Sequence, residues 1–213
     1  MDIERVKQKY QRNARLYDLL VRRPTARLRA RAIDRMALRP GEAALDFGCG
    51  TGLSFDLLEH AVGPEGRIVG IDVSSDMLAR ARDKVRRNGW ANVTLHEANV
   101  EEAGLQPESV DAVLCFYTHD ILHSERALSV AVKALRNGGC FVAAGAKLTH
   151  GLRGRLLNAI TFAYSLPAIT NVSGLDRPWT LLEELLGPLE VEEQLCGTAY
   201  VARGIKSARR RLL

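Results

Sequence analysis

Two carboxylates and three glycines in the first third of the chain could form a ligand site. The stretch ALDFGCGTG, residues 44–52, carries Asp46 near the end of a short apolar run. Three glycines follow at every second position and are Gly48, Gly50 and Gly52. Glycine allows unusual backbone angles and a close approach to a ligand. Because Leu53 stands where a dinucleotide-binding GxGxxG loop has its third glycine, and because Asp46 would repel a pyrophosphate, the pattern favours a ligand with a positive group.

A second acid, Asp72, follows the apolar stretch RIVGI and lies twenty residues after Gly52. A carboxylate offers two acceptor oxygens in one plane, so it can bind both hydroxyls of a ribose. Asp72 could instead cap the helix predicted after it, but Ser74 and Ser75 already provide that cap. The combination of Asp46, the glycine turn and Asp72 is more specific than any one of these features.

Both acids sit at the ends of predicted strands in a chain where strands and helices alternate. Strands are predicted over residues 42–48, 67–73, 91–98, 109–117, 140–148, 189–197 and 199–207. Helices are predicted over residues 3–21, 24–38, 52–62, 75–88, 124–136, 151–164 and 178–186. The alternation predicts an α/β fold with a doubly wound, mostly parallel sheet, and the short turn before the last strand makes that strand antiparallel. Ligands of such sheets bind beyond the carboxyl ends of the strands, which is where Asp46 and Asp72 lie.

Composition indicates a globular protein of a reducing compartment. Of the 213 residues, 46% are hydrophobic and 26% are charged, a balance that supports an apolar core. The four cysteines are widely spaced, so neither a disulfide framework nor a metal site is predicted. The first residues are too charged for a signal peptide, and no apolar run of about 18 residues is present to span a membrane. We therefore expect a cytoplasmic protein.

Positive charge is concentrated at the two ends of the chain. Residues 1–39 hold 12 Lys and Arg against 4 Asp and Glu, and residues 203–213 hold 5 Lys and Arg and no acid. Because the whole chain has a net charge of +5, residues 40–202 carry −8. The simplest interpretation is a solvated surface with a basic tail. The alternative is attraction to an anionic partner, such as a membrane surface, a phosphorylated substrate or nucleic acid.

The motifs, taken in order, resemble those of class I S-adenosylmethionine-dependent methyltransferases of the small-molecule or lipid type. ALDFGCGTG matches the first motif of that family and VGIDVS the second, while ANVEEAGLQPESVDAVLC resembles the third and fourth. The resemblance is close over residues 40–145 and implies a Rossmann-like, seven-stranded sheet with an antiparallel last strand. It implies a methyltransferase domain over residues 40–213, preceded by a helical lid, residues 1–39. Residues 146–187 would form a substrate-specific insertion.

The resemblance also implies S-adenosyl-L-methionine as the cofactor and assigns residues to its parts. The glycine turn would lie against the methionine part, with Asp46 near the ammonium group, and Asp72 would bind the ribose hydroxyls. The adenine would be contacted by four residues, which are Val73, Met77, Asn99 and Val100. Asn99 departs from the aspartate that is frequent at this position, but its amide oxygen can still accept a hydrogen bond. Phe116 would flank the cofactor, and Tyr17 would either close over it from the lid or be a core residue.

Methyl transfer needs mainly alignment of the acceptor with the S–CH₃ bond, plus a base where the acceptor carries a proton. Candidate groups follow the fourth strand in FYTHDILHS, residues 116–124, and are Tyr117, His119, Asp120 and His123. His119 can take a proton near neutral pH, and Asp120 can orient it or contact a cationic amine. The structural alternatives are that Asp120 caps a local turn and that His123 is merely exposed.

Methyl transfer to a small molecule, a natural product or a metabolite, is the function that the sequence favours. A phospholipid or quinone methyltransferase, peripheral at the membrane surface, is the alternative, because such enzymes share the YD and DxGxGTG layout. A catalytically inactive cofactor-binding regulator is an alternative of another class. No (N/D)PP(Y/F) motif follows the fourth strand, which argues against methylation of nucleic-acid bases. The expected partners are therefore a small-molecule substrate and, in the alternative, an anionic lipid surface, with no nucleic acid and no metal.

Overall fold

Seven strands form one mixed sheet in the computed structural model, which describes residues 23–149 and 174–207. The strands are β1 (Ala43–Phe47), β2 (Arg67–Asp72), β3 (Val93–Glu97), β4 (Val110–Phe116), β5 (Leu135–Ala146), β6 (Glu190–Gln194) and β7 (Ala199–Ile205). Their order across the sheet is β3-β2-β1-β4-β5-β7-β6. The first five strands pair in parallel, and β7 runs antiparallel to both β5 and β6. The predicted doubly wound sheet is confirmed, including its antiparallel last strand.

Six α-helices of the described residues cover the two faces of this sheet. They are α1 (Ala26–Met36), α2 (Phe55–Val62), α3 (Ser75–Asn88), α4 (His119–Leu122), α5 (Glu125–Ala134) and α6 (Thr180–Leu186). Helices α1, α2 and α3 bury residues such as Leu28 and Phe55 in the core on one face. Helices α5 and α6 cover the other face, where Leu128 is fully buried. Strand β4 sends Leu114 to the first core and Val113 to the second, which is why its sequence is apolar throughout.

Helix α3 has the bounds that the sequence predicts because both of its ends are encoded locally. The Ser74 hydroxyl accepts the N–H of Met77 at 3.4 Å and caps the first turn. Gly89 follows the last helical residue with a left-handed φ of 67°, which ends the helix. These caps fix where β2 ends and α3 begins, and they place Asp72 at the sheet edge beside the glycine turn.

The segment Asn137–Gly139 differs from its prediction. It was expected to end a helix over residues 124–136, but α5 already ends at Ala134 and the segment lies inside β5. The N–H of Gly138 donates to the carbonyl of Lys206, and the N–H of Lys206 donates to the carbonyl of Gly139. The β4–β5 register shifts here, so the extra residues form a bulge. Pairing with a strand distant in sequence therefore overrides the local helix-stop signal.

Helix α1 is fastened to the edge of the sheet by ion pairs as well as by its buried apolar face. The Arg31 guanidinium donates two hydrogen bonds to the Glu192 carboxylate of β6, each at 2.8 Å. Arg35 pairs with Glu190 and with Glu192 of the same strand. Helix α1 is one part of the predicted lid, residues 1–39. The part before residue 23 lies outside the described residues, and the lid stays a prediction.

The predicted insertion, residues 146–187, is described only in part. Helix α6 belongs to it and buries Leu182 completely, and the ring of Trp179, just before this helix, lies 4.8 Å from that of Tyr200. The helices predicted over residues 3–21 and 151–164 lie outside the described residues, so the role of the insertion stays a prediction. No helix within 23–149 or 174–207 is long and apolar enough to cross a bilayer.

Candidate functional site

The loops that follow β1 and β4 bound a cleft at the carboxyl edge of the sheet. Strands β1 and β4 are neighbours, but the chain leaves β1 toward β2 on one side and leaves β4 toward β5 on the other. Such a switch point is where doubly wound sheets bind ligands. The cleft opens to solvent, and the space within it, including open solvent, is about 420 Å³. Its lining residues are Arg29, Asp46, Gly48, Cys49, Gly50, Thr51, Leu53, Ser54, Phe116 and Tyr117.

The glycine turn between β1 and α2 forms the floor of this cleft. A side chain at Gly48 would place its Cβ 2.5 Å from the Thr118 methyl carbon, so glycine is required there by packing. Gly50 has a φ of 54°, and a Cβ there would meet no atom within 4 Å. The backbone at Gly50 therefore faces open space that a ligand can occupy. This cradle fits the prediction that a ligand lies against the turn.

Asp46, in β1, is a buried acid aimed into the cleft. Its side chain is 2% exposed, and its Oδ2 atom has no hydrogen-bond partner among the described residues. Burial raises the pKa of Asp46 from 3.8 to about 7; the nearby Asp72 raises it further, while Arg29 and Lys84 oppose the shift. A buried carboxylate oxygen of this kind is stabilised by a cation, so the site fits a ligand with an ammonium group.

Asp72, at the end of β2, holds the glycine turn in place. Its Oδ2 accepts the N–H of Gly50 at 2.8 Å, and its Oδ1 accepts the N–H of Ser74 at 2.9 Å. Burial raises the pKa of Asp72, and these backbone hydrogen bonds oppose the shift. Sequence reasoning missed this positioning role. Because a carboxylate oxygen can accept a second hydrogen bond, the ribose role predicted for Asp72 remains compatible with the geometry.

The residues predicted to contact adenine lie at the neighbouring strand ends, outside the lining of the cleft. The N–H of Ala98 donates to the carbonyl of Asp72 at 3.1 Å, which brings the end of β3 beside the end of β2. The next residue, Asn99, uses its amide oxygen to cap the 3₁₀ turn Val100–Glu102 by accepting the N–H of Glu101 at 3.1 Å. Val73 lies directly after Asp72, and Met77 and Val100 are buried. The adenine roles of these residues stay predictions, and Tyr17 lies outside the described residues.

Arg29 and Tyr117 line the cleft although sequence reasoning did not select either as a cofactor residue. The guanidinium carbon of Arg29 lies 4.8 Å from the ring centre of Phe116, which was predicted to flank the cofactor. The rings of Phe116 and Tyr117 are 5.1 Å apart. Tyr117 has a φ of 58°, a strained angle for a residue with a side chain. No signal in the sequence distinguishes Arg29 from the other arginines of α1, whereas Tyr117 was predicted as a candidate group for methyl transfer and not as a cofactor residue.

A second cleft, small and open to solvent, also has Tyr117 in its lining. Its lining residues are Tyr117, Thr118, His119, Ala144, Gly145, Ala146, Leu175 and Tyr200. The structure thus places His119 beside a space next to the first cleft, while Asp120 is not among the lining residues. The ring of His119 lies 4.1 Å from that of His123, whose Nδ1 is 3.0 Å from the His119 carbonyl. The catalytic roles of His119 and Asp120 stay predictions.

The chain is similar to several known proteins. A family model described as a methyltransferase domain matches residues 44–139. Phosphatidylethanolamine N-methyltransferase of Cereibacter sphaeroides is 33% identical over 141 residues, which cover 65% of this chain and 66% of that protein. Ubiquinone/menaquinone biosynthesis C-methyltransferase UbiE of Pseudomonas fluorescens is 31% identical over 136 residues, which cover 62% of this chain and 53% of that protein. The crystal structure of a SAM-dependent methyltransferase from Aquifex aeolicus matches with a TM-score of 0.61 at 19% identity, covering 96% of this chain and 98% of that one.

These similarities fall on the part of the chain that builds the cleft. The family match begins within β1 and includes the glycine turn, Asp72, Asn99 and all of β4. The chain spans less than two thirds of the length of the curated relatives it matches, with values of 32%, 27%, 53% and 66% for four of them. The family match shows a methyltransferase domain over residues 44–139, and the relatives and the shared fold make the chain similar to S-adenosylmethionine-dependent methyltransferases.

Proposed function

We propose that this chain transfers the methyl group of S-adenosylmethionine to a small molecule, a natural product or a metabolite. The observation that carries the proposal is a pair of clefts that share one wall, Tyr117. The first cleft holds the Asp46 oxygen that lacks a partner among the described residues and the open backbone of Gly50. The second holds His119. A donor in the first cleft and an acceptor in the second would meet at this wall.

Residues of the first cleft would hold the cofactor by its polar groups. Asp46 would face the ammonium group, Gly50 would lie against the methionine part, and Asp72 would accept the ribose hydroxyls. When bound, S-adenosylmethionine supplies a methyl group that is already activated on a sulfonium sulfur. The protein therefore needs mainly to align the acceptor and to exclude water, which the ring of Tyr117 and the buried floor of the cleft would do.

His119 would act as the base of the second cleft. A neutral imidazole can take the proton that an acceptor hydroxyl or amine loses as the new bond forms. The ring of His123, tilted by 50° with its centre 4.1 Å from that of the His119 ring, would limit the positions that the His119 ring can take. Asp120 follows His119 in the same short helix and would orient it.

The lining of the second cleft favours an uncharged acceptor. Among its described lining residues are three small ones from β5, which are Ala144, Gly145 and Ala146, and two aromatic side chains, Tyr117 and Tyr200. No Asp, Glu, Lys or Arg is found among them. The lining is therefore mostly uncharged, and a charged group there would have to give up part of its hydration without a charged partner.

The names of two relatives favour a second candidate, a phospholipid or quinone methyltransferase. The matched regions of the phosphatidylethanolamine N-methyltransferase and of the ubiquinone/menaquinone C-methyltransferase each cover more than 60% of this chain. The basic ends of the chain would draw it to an anionic membrane. A quinone ring is also compatible with the uncharged lining of the second cleft.

Transfer from radiolabelled cofactor to small molecules and lipids of a cell extract, read by mass spectrometry, tests both candidates. We expect a labelled water-soluble product for the first candidate and a labelled lipid or quinone for the second. His119→Gln should slow transfer about 100-fold or more while leaving binding of S-adenosylhomocysteine unchanged. His96→Gln, at an exposed histidine of β3, is the matched control. Binding of S-adenosylhomocysteine without any labelled product would favour the inactive regulator instead.

A further inference from the structure

Lys84 is a cation on the core-facing side of α3. It continues the helical stripe of the buried residues Met77 and Ala81, which precede it by two turns and by one turn. The side chain of Lys84 is half-buried, and its ammonium nitrogen Nζ donates to the carbonyl of Gly52 at 2.8 Å. A lysine on an apolar stripe can pack its stem against neighbouring residues while its charge reaches a polar group beyond them.

The Gly52 carbonyl lies where the glycine turn passes into α2. The same oxygen accepts the N–H of Phe55, the first residue of that helix, at 3.3 Å. Gly52 has a φ of 70°, and a Cβ at this position would lie 2.5 Å from the Phe55 ring. The Ser54 hydroxyl, at the N-cap position of α2, makes no capping hydrogen bond. The Lys84 ammonium therefore supports the end of the turn from a different helix.

The glycine turn is attached to α3 at two points. Asp72 provides the first, because its carboxylate accepts the N–H of Gly50 and the N–H of Ser74. Ser74 in turn caps α3. Lys84 provides the second attachment, at Gly52. Because the two attachments hold an N–H and a carbonyl two residues apart, a shift of the turn relative to α3 would break a charged hydrogen bond, which is the strong kind.

We infer that Lys84 is a positioning residue of the cofactor site, which holds the glycine turn in the shape that binds the ligand. The inference rests on the proposed function only in taking S-adenosylmethionine as the ligand of the first cleft. Lys84 is not among the described lining residues of that cleft, so it acts through the turn and not by touching the ligand. A turn that keeps its shape before the ligand arrives loses less entropy on binding.

The charge of Lys84 also acts on Asp46. Burial raises the pKa of Asp46 to about 7, and the positive charge of Lys84 opposes that shift. The other charged or titratable side chains that act on this carboxyl group are Arg29 of α1, Asp72 of β2, Cys49 of the glycine turn and Cys115 of β4. Loss of the Lys84 charge should therefore raise the pKa of Asp46 further, which a purely structural role of Lys84 would not do.

Lys84→Met keeps most of the apolar stem and removes the ammonium group. By calorimetry at about pH 9, where Asp46 is largely ionised, we expect this variant to bind S-adenosylhomocysteine roughly 10- to 30-fold more weakly than the wild type. The loss should be larger between about pH 6 and about pH 8, because more of Asp46 is then protonated in the variant than in the wild type. Lys84→Arg should recover most of the affinity, and Arg87→Met, at an exposed arginine of the same helix, should change nothing.

The titration of Asp46 in the ligand-free protein gives a second measurement. Its carboxyl carbon, followed by NMR, should titrate at higher pH in Lys84→Met than in the wild type. Lys84→Gln keeps a hydrogen-bond donor without the charge, so it should show the same raised titration with a smaller loss of affinity at about pH 9. This variant replaces Lys84→Met in both measurements if Lys84→Met fails to fold.

Wild-type affinity in Lys84→Met at about pH 9 would overturn the positioning role and leave the proposed function standing. An equal loss of affinity at every pH, with the titration of Asp46 unmoved, would mean that Lys84 only supports the fold of α3, which also overturns the inference. Failure of the wild-type protein to bind S-adenosylhomocysteine would overturn the inference and the proposed function together. That result is seen without any variant, so the two failures are distinguishable.

Discussion

The Oδ2 atom of Asp46 is buried without a hydrogen-bond partner among the described residues, and we predict that this carboxyl group makes ligand binding depend on pH. With a pKa raised to about 7, mainly by burial, it is largely protonated below that pH. The ammonium of the ligand requires the carboxylate, so affinity for S-adenosylhomocysteine should rise between about pH 6 and about pH 8 and level off above that range. Calorimetry in buffers of different ionisation enthalpy should also show proton release on binding near neutral pH.

The same side chain should make the ligand-free protein less stable as pH rises. Because the folded pKa of Asp46 lies above its ordinary value of 3.8, the fold favours the protonated acid, and stability falls as pH climbs from about 4 toward about 7. Asp46→Asn should bind S-adenosylhomocysteine weakly at every pH and lose less thermal stability over this range than the wild type. An unchanged pH profile of binding in Asp46→Asn would show that another group titrates.

Asp72 combines a predicted ligand contact with a structural role. Asp72→Ala should weaken binding of S-adenosylhomocysteine by about 2–4 kcal/mol, roughly 30- to 1000-fold, because charged hydrogen bonds to the ribose and to the Gly50 N–H are lost together. Asp72→Ala should also weaken the binding of methylthioadenosine, since that molecule keeps the ribose. Asp46→Asn should leave the binding of methylthioadenosine unchanged, since that molecule lacks the ammonium group. Asp76→Ala, at an exposed acid of α3, is the control. Near-wild-type affinity in Asp72→Ala would contradict the ribose assignment.

The contact of α1 with β6 should contribute stability that depends on the charge of Glu192. The hydrogen bond from Arg31 is the main reason that the pKa of Glu192 lies below its usual 4.5. Its contribution is therefore present above about pH 4.5 and lost as pH falls through the lowered pKa. Because the pair is partly exposed, Glu192→Gln should lower the melting temperature by only about 1–4 °C at pH 7 and have little effect at pH 3.

Added salt should reduce the effect of Glu192→Gln on the melting temperature, since exposed charges are screened within about 8 Å at physiological ionic strength. Asp83→Asn removes the more exposed pair with Arg86 within α3 and serves as the matched control. A difference between Glu192→Gln and the wild type that persists at pH 3 would indicate a packing defect rather than a lost charge.

A helix or strand could be predicted from the sequence where residues next to its ends determine where it begins and ends. Helix α3 matches its prediction because Ser74 and Gly89 act within one turn of its ends. The bulge at Gly138 could not be predicted, since it depends on pairing with Lys206. The same distinction holds in the site, because Asp46 and Asp72 could be predicted from their places at the carboxyl ends of β1 and β2. The position of Arg29 in the cleft could not be predicted, because it depends on a contact with Phe116, a residue on a strand distant in sequence.

The charge of the whole molecule bears on the choice between a soluble acceptor and a membrane one. The two basic ends and the acidic middle of the chain would favour encounter with an anionic surface, mainly at low salt. Changing Arg209, Arg210 and Arg211 to Gln should weaken co-sedimentation with anionic vesicles at ~50 mM salt and leave cofactor affinity unchanged. Changing the exposed Arg86 and Arg87 of α3 is the control. Wild-type protein that stays in the supernatant would argue against the membrane candidate.

Tyr117 lines both clefts, so we predict that the occupancy of one affects the occupancy of the other. Its backbone N–H donates to the Ala144 carbonyl at 2.8 Å, so the ring has a fixed pivot. A ligand in one cleft that fixes the position of the Tyr117 ring would change the surface that this ring presents to the other cleft. By thermodynamic reciprocity, the factor by which S-adenosylhomocysteine alters acceptor affinity must equal the factor by which the acceptor alters affinity for S-adenosylhomocysteine. In Tyr117→Ala, titrations of each ligand with and without the other should show this shared factor approaching one, even where each separate affinity declines.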